Sequence, residues 1–460
     1  MNNPKLPLAV ILLAYLALGL QYAALTPAWQ VPDEPAHYNY IRHIVETGRL
    51  PILQIGDYDQ AYLSRLTGEY FPPDLPVDPV RYESWQPPLY YLLMTPVFLL
   101  FHGALLPLRL FSLFLGAGVI VFAFLVVREV VGRDAVGRDA ALPLLAAGFI
   151  AFIPQHVAMM AGVNNDSLSE LLIAIGLYLI LRLNQRGIGD WKFEVGSLKL
   201  GVVTGLTLVT KVAAYVLVPV AAVRLLLNWR RVGWGEWRLV VRQGVIVFGI
   251  ALAFGLLFWG RNLAVYGWPD FLASTRHSLV VAEQPRTSQW AAQYGSAEVA
   301  RRFLVTTFQS FWGQFGWMGV VMDRPVYLAL LLYSIGLAVG AVATLSRQSS
   351  REAVSSRQRD GVIILAVSGL LTLAVYLYYN LDFVQHQGRY LFPALIPIGL
   401  AAAVGLQQWA KWAAAAMRRL PYVSRFTAQV EILLPFLPLA LMAALCLFAL
   451  YRFILPALVL

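Results

Sequence analysis

Apolar residues run in blocks along this chain, and the blocks are about as long as a bilayer is thick. A membrane-crossing helix needs ~20 mostly apolar residues. Runs of that order occupy 6–25, 105–127, 140–160, 167–183, 198–210, 212–228, 243–260, 325–345, 361–379, 390–408 and 431–455. The pattern predicts an all-α polytopic membrane protein of about eleven spans, because helices satisfy their own backbone in lipid. The run at 198–210 is the shortest. The first run follows Lys5, is long and lacks a small-residue cleavage site, which favours an anchor over a signal peptide.

One stretch is marginal. Within "SWQPPLYYLLMTPVFLLF", the apolar part at 87–101 is short for a span. Lys and Arg placement decides it. A full span there would put the basic loop 128–138, with Arg128, Arg133 and Arg138, outside. An interfacial or re-entrant helix puts that loop inside, together with the Arg/Lys-rich loops 182–199, 224–242, 346–360 and 409–425. The positive-inside rule selects the second arrangement. The N-terminus is then cytoplasmic and the C-terminus external. Residues 1–460 form one transmembrane domain, with 26–104 as a first external loop carrying interfacial helices and 261–324 as a second long external segment.

Composition agrees. The chain is 59% hydrophobic and 13% charged, about half the usual charged share. Its net charge of +10 sits in short loops between apolar runs, so it reports topology and gives no reason to expect nucleic acid. A lone cysteine, Cys446, excludes an internal disulfide framework and a thiolate metal site. There is no Walker loop, HExxH or GxSxG. Asn165-Asp166-Ser167 matches a glycosylation acceptor but abuts two apolar runs.

The predicted topology gathers the unusual polar residues on the external side, at the ends of different spans. They are Asp33, Glu34 and His37, Gln86, Asn165 and Asp166, Lys211, Arg261, and His386 with Arg389. Such a set joins carboxylates that can act as a base to cations that can hold an anion. Each has a plainer reading. Asp33, between two prolines at the start of a helix expected over 34–46, could be an N-cap. Glu34 could be a first-turn acid complementing the helix dipole. His37 and His43 could be interfacial polar residues, Lys211 could snorkel to headgroups, and Asn165 and Asp166 could cap the next span. Arg261 could anchor a headgroup. The aromatic 306–320 stretch could be an interfacial belt or a sugar-stacking platform. Gly201-Val-Val-Thr-Gly205 reads as a helix-packing motif.

Taken in order, "PDEPAHYNYI", "QPPLYYLL", "GVNNDSL", "LTKVAAYVLVP", "FWGRNLAVYGWPD", "FWGQFGWMGV" and "QGRYLFPALIPI" resemble the GT-C superfamily of membrane glycosyltransferases. The pattern is nearest the protein O-mannosyltransferase and aminoarabinose-transferase branch, and within it a large bacterial family of that clan. The resemblance covers about residues 29 to 400. It implies a sugar donor on a polyprenyl phosphate or pyrophosphate, and an acceptor lipid, glycan or protein at the outer face of the cell membrane. It also implies inverting transfer with a carboxylate of the first external loop as base. Asp33 matches the catalytic aspartate and Glu34 stands beside it; Lys211 matches the lysine of a Thr-Lys pair that meets the donor phosphate. Arg389 and Arg261 are further phosphate ligands, with His37, Gln86, Asn165, Asp166 and His386 as substrate contacts. Some GT-C enzymes use a divalent metal, for which Asp33 and His37 would supply two ligands, and two ligands do not make a site. The rival reading is a transporter or flippase of lipid-linked sugars. Transporters place polar groups near the midplane on broken helices, often in related halves, and this sequence shows no internal repeat. A non-catalytic membrane scaffold would not require the clustering.

Overall fold

The computed structural model describes residues 4–132, 139–183, 191–232, 237–348, 355–418 and 427–459. It is a helical bundle. Helix α1 (Lys5–Leu25) leads into an irregular first loop that contains α2 (Glu34–Thr47), α3 (Gln60–Gly68) and a 3₁₀ turn at Tyr82–Trp85. Helix α4 (Leu89–Leu100) follows. At 12 residues it is ~18 Å long, too short for a ~30 Å hydrocarbon core. Helix α5 (Leu105–Val131) crosses the whole bundle, and α6 (Leu142–Ala151) and α7 (Pro154–Met160) meet at a 66° bend. Next come α8 (Asp166–Arg182), α9 (Trp191–Leu208), α10 (Leu217–Val232) and α11 (Trp237–Tyr266).

A second irregular segment carries α12 (Ser274–Val280), α13 (Thr287–Tyr294) and the amphipathic α14 (Ser296–Trp312). The glycine-rich stretch after it turns back as a two-residue antiparallel hairpin, β1 (Gln314–Phe315) with β2 (Val320–Val321). The long helices α15 (Arg324–Gln348), α16 (Ser356–Asp382) and α17 (Leu395–Met417) follow. The chain ends with α18 (Thr427–Leu433), α19 (Leu437–Ala449) and α20 (Leu455–Leu458).

The protein is an integral, multi-pass membrane protein. The expected eleven spans are not reached on length and apolarity. Among the described residues eight helices qualify, or nine if the bent α6–α7 pair is one span. The other two expected spans fall short for local reasons. Helix α8 has 17 residues and includes Glu170 and Arg182; α9 has 18 and carries Lys192, Glu194 and Lys199. Their apolar faces are covered by neighbours: Leu177 and Ile180 of α8 and Leu200 of α9 are buried. The Gly201–Gly205 motif packs on α11, since a methyl at Gly201 would lie 3.0 Å from the Val247 carbonyl and one at Gly205 would lie 2.6 Å from Phe254.

Charged residues collect at two opposite ends of the bundle. On α5, Arg109 and Glu129 are separated by 20 residues (129 − 109), about 30 Å of helix. At the Glu129 end, that carboxylate meets Arg357 at 2.5 Å and Arg182 at 4.0 Å, and Asp360 meets Arg231 at 2.6 Å and Arg224 at 3.4 Å. These pairs tie together α5, α8, α10 and α16. At the Arg109 end lie the irregular segments and the residues the sequence singles out. Arg133 falls outside the described residues.

Candidate functional site

Asp33 precedes α2 in "VPDEP" with φ 68° and ψ −6°, in the left-handed region. An Asp tolerates this region better than most residues, at roughly 1 kcal/mol. The conformation decides where the carboxylate goes. It makes no cap hydrogen bond to α2, so the N-cap reading fails. Instead Oδ1 accepts from the Tyr82 hydroxyl at 2.6 Å and Oδ2 from Arg389 Nη2 at 2.5 Å. Arg389 is itself fixed: its Nε donates to Gln387 Oε1 at 2.6 Å, and Nη1 reaches the Met159 sulfur at 3.8 Å. The 3₁₀ segment that carries it, Gly388–Ala394, lies directly on α14. A methyl on Gly388 would sit 2.3 Å from the Thr307 carbonyl and 2.4 Å from the Phe311 nitrogen, so the close approach requires glycine.

Burial alone would raise the Asp33 pKa. The Arg389 guanidinium and the Tyr82 hydrogen bond outweigh it and hold the carboxyl below its ordinary value. His37, one turn along α2, is buried with Nδ1 2.9 Å from the Tyr91 hydroxyl, and burial lowers its pKa to about 3. It is therefore neutral at physiological pH. Oxygens shared between Tyr82 and Arg389, with an imidazole turned to Tyr91, do not fit a metal. Among the described residues no group of three or more His, Cys, Asp or Glu could hold one.

Lys211 forms a second node. Its ammonium donates to Asn165 Oδ1 at 2.9 Å and pairs with Asp166 Oδ1 at 2.6 Å. Asn165 Nδ2 reaches the Tyr91 hydroxyl at 3.5 Å, which links the node to His37. Asn165 makes no side-chain cap to α8; it and Asp166 hold Lys211 instead.

Between these residues and the second irregular segment lies a cavity of about 220 Å³ lined by Asp33, Tyr82, Glu83, Gln284, Trp317 and Arg389, among others. The hairpin supplies one wall, held by Trp317 Nε1 donating to the Trp29 carbonyl at 2.8 Å. Glu83 is the residue that sequence reasoning missed. It lies three positions before Gln86, in a loop with many carboxylates, and no spacing marks it. Burial, and then the Asp33 charge, push its pKa up to about 7. Gln86 is buried beneath, its carbonyl accepting from the Tyr40 hydroxyl at 3.1 Å.

Three expected site residues are placed elsewhere. Glu34 is fully buried and turned away from Asp33. It makes a two-point pair with Arg109, at 2.8 Å from Nε and 2.6 Å from Nη2, and accepts from the backbone nitrogens of Trp29 and Val163, both at 3.1 Å. A carboxylate so occupied clasps the start of α2 to α5 and is not among the residues lining the Asp33 cavity. Arg109, missed in the sequence because it sits in an apolar run, also donates to the carbonyls of Ala23, Thr26 and Pro27. Arg261 is engaged with the Pro51 carbonyl and Asn262 rather than with the Asp33 cavity. His386 packs edge-on against Phe303 and Trp290, outside the cavity lining, although its neighbours Gln385 and Gln387 line it.

Residues 85–259 match the family described as dolichyl-phosphate-mannose-protein mannosyltransferase. That match covers 175 of the 460 residues (259 − 85 + 1), the segment from the 3₁₀ turn before α4 into α11. Solved structures share the fold of this chain. ArnT from Cupriavidus metallidurans, bound to undecaprenyl phosphate, superposes with a TM-score of 0.53 at 14% identity, over 99% of this chain and 73% of that one. The Archaeoglobus fulgidus oligosaccharyltransferase, tethered with an acceptor peptide, gives 0.51 at 13% identity over 95% of this chain. This chain spans only 55% of that protein's length. No curated protein matches it by sequence.

Proposed function

We propose that this protein is a GT-C glycosyltransferase that moves a sugar from a polyprenyl-phosphate donor to an acceptor hydroxyl at the outer face of the membrane, with inversion and with Asp33 as base. The observation that carries the reading is Asp33 itself, a carboxylate kept ionised and aimed into the cavity by Tyr82 and Arg389. An inverting transfer needs one base and no covalent intermediate. The acceptor O–H bond breaks toward Asp33 as the oxygen attacks the anomeric carbon, and the bond from that carbon to the phosphate oxygen breaks. Negative charge then grows on the lipid phosphate, where cations stabilise it. Lys211 has three N–H donors and spends two on Asn165 and Asp166. One remains for a phosphate. Arg389 has five donors and likewise keeps some after meeting Asp33 and Gln387, but its first task is to orient the base. Arg261 is a headgroup anchor on this reading.

The assay is direct. Purified protein in liposomes, given synthetic polyprenyl-phosphate sugars, should release polyprenyl phosphate together with a glycosylated product. Movement of the lipid across the bilayer with its sugar bond intact would overturn the reading in favour of a flippase. Tyr82→Phe should retain transfer but move the acid limb of its pH profile upward, toward the ordinary carboxylate range, because a hydrogen bond to the ionised form is lost. An unmoved limb would detach Tyr82 from the base.

Topology belongs to the same proposal. Counting α6–α7, α8 and α9 as crossings gives eleven, with the Asp33 end outside and the Glu129 end in the cytoplasm. In a Cys446→Ser background, cysteine at the exposed positions Glu69 and Tyr294 should label with an impermeant thiol reagent in intact cells. Cysteine at Arg231 or Arg418 should label only after permeabilisation. The reverse pattern would put the cavity in the cytoplasm.

A further inference from the structure

Two side chains of the cavity wall each carry a polar atom that the protein leaves unanswered. Glu83 Oε2 and Gln284 Oε1 are both buried, and neither has a hydrogen-bond partner. Both side chains line the cavity that contains Asp33. They come from different parts of the chain, Glu83 from the 3₁₀ turn before α4 and Gln284 from the connection after α12. A buried acceptor without a donor costs about 1–3 kcal/mol, and two on side chains that line one cavity suggest that the donors arrive with a ligand.

Both atoms are oxygens. Their partner must bring N–H or O–H groups and cannot be an anion, which would face them with like partial charge. The surrounding charge narrows the choice. The Asp33 charge is already matched by Arg389 at 2.5 Å. His277, another lining residue, has its pKa lowered to about 4, first by burial and then by Arg286, so it is neutral. Burial, and then the Asp33 charge, push the Glu83 pKa up to about 7, so its ionised form is disfavoured in this wall. Tyr82 and Gln387 add neutral polar groups to the wall. Such a wall suits a polyhydroxylated neutral ring better than a fixed cation. The volume, about 220 Å³, is below that of most drug-sized ligand sites and is too small for a lipid chain.

We infer that Glu83 and Gln284 form a hydroxyl-reading subsite for the sugar being transferred, a neutral hydroxylated sugar, and that they set which sugar is accepted. This rests on the donor chemistry proposed above. In the subsite each oxygen accepts one sugar hydroxyl and holds the ring with its anomeric carbon toward Asp33. Neither residue takes part in bond making. They are specificity residues, and Asp33 remains the base.

The test measures binding of defined probes to the full-length protein in detergent. The probes are polyprenyl phosphate alone, polyprenyl-phosphate mannose and glucose, their monodeoxy analogues, and a polyprenyl-phosphate amino sugar. The wild type should bind at least one neutral sugar donor tighter than the bare lipid phosphate, and should lose about tenfold for one or two particular deoxy positions, as expected for single lost hydrogen bonds. Glu83→Ala should abolish the penalty at one of those positions and Gln284→Leu at the other, while both bind bare polyprenyl phosphate as the wild type does. Glu83→Gln, which keeps an acceptor, should retain part of the discrimination and guards against misfolding of the alanine variant. Penalties that persist unchanged in both variants would overturn the subsite. So would a preference for the amino sugar that Glu83→Gln removes, which would make Glu83 an ammonium site. Binding no tighter with any sugar than without would sink the donor reading as well, and so is distinguishable from failure of the subsite alone.

Discussion

Arg109→Ala is expected to leave little folded protein. The guanidinium is 3% exposed and its partner Glu34 is fully buried. Removing one member of a buried ion pair strands the other charge, and such losses run to about 3–5 kcal/mol. The cost here extends beyond the pair. Arg109 also donates to the carbonyls of Ala23, Thr26 and Pro27, where α1 ends and the first loop begins, and Glu34 in turn accepts from the backbone of Trp29 and Val163. One clasp therefore fixes the end of α1, the start of α2, the head of α5 and the approach to α8. Marginal stabilities of 5–15 kcal/mol leave little room for that loss. The measurement is the yield of monodisperse protein and its melting temperature in detergent. Glu34→Gln should fall between wild type and Arg109→Ala, since the amide keeps the shape and one acceptor but leaves the guanidinium charge unmatched. Wild-type melting in Arg109→Ala would return Glu34 to the list of candidate bases.

The contrast between Glu34 and Asp33 shows what the sequence could and could not tell. Long apolar runs and the Arg/Lys-rich loops announce α1, α5, α11 and α15 to α17 plainly, because span length and apolarity are one-dimensional properties. Of the residues the sequence singles out, Asp33 pairs with Arg389, and His37 is linked to Lys211 through Tyr91 and Asn165. Their partners are not legible. Asp33 and Glu34 are adjacent and chemically alike, yet a left-handed φ at Asp33 turns one carboxylate into the cavity and leaves the other under α5. Nothing in "PDEP" says which. Arg109 hides in an apolar run, and its value depends on a carboxylate 75 positions away (109 − 34). Glu83 and Gln284 matter because their oxygens lack partners, a property of three-dimensional packing alone. Span counting fails for a related reason: α8 and α9 pack apolar side chains such as Leu177, Ile180 and Leu200 against neighbours, so each can fall short of the requirements of a lone helix.

Asp33→Asn should abolish most transfer while leaving the fold and donor binding in place. The amide matches the carboxylate in size, and its oxygen can still accept from Tyr82 or Arg389, so the left-handed turn and the cavity wall persist. What it cannot do is take a proton. Positioned acid–base catalysis contributes roughly a hundredfold to ten-thousandfold, and the loss should fall in kcat at unchanged donor affinity. Lys211→Ala should instead weaken binding of polyprenyl phosphate as well as turnover, because its charge meets a phosphate present before and during reaction. Arg389→Ala should resemble Asp33→Asn more than Lys211→Ala, since its guanidinium holds the base. It should also let the Asp33 pKa rise, as burial is then unopposed. The sign follows from the shift. A carboxyl whose folded pKa is lowered is ionised, and contributes both activity and stability, above the ordinary carboxylate range, and loses them only as pH falls through the lowered value. Wild-type transfer should therefore persist through mildly acidic pH as far as Asp33 governs it, and in Arg389→Ala the acid limb should move upward. Transfer at a near wild-type rate in Asp33→Asn would leave the base unassigned and reduce the Asp33–Arg389 pair to a structural bridge between the start of α2 and the 3₁₀ segment Gly388–Ala394.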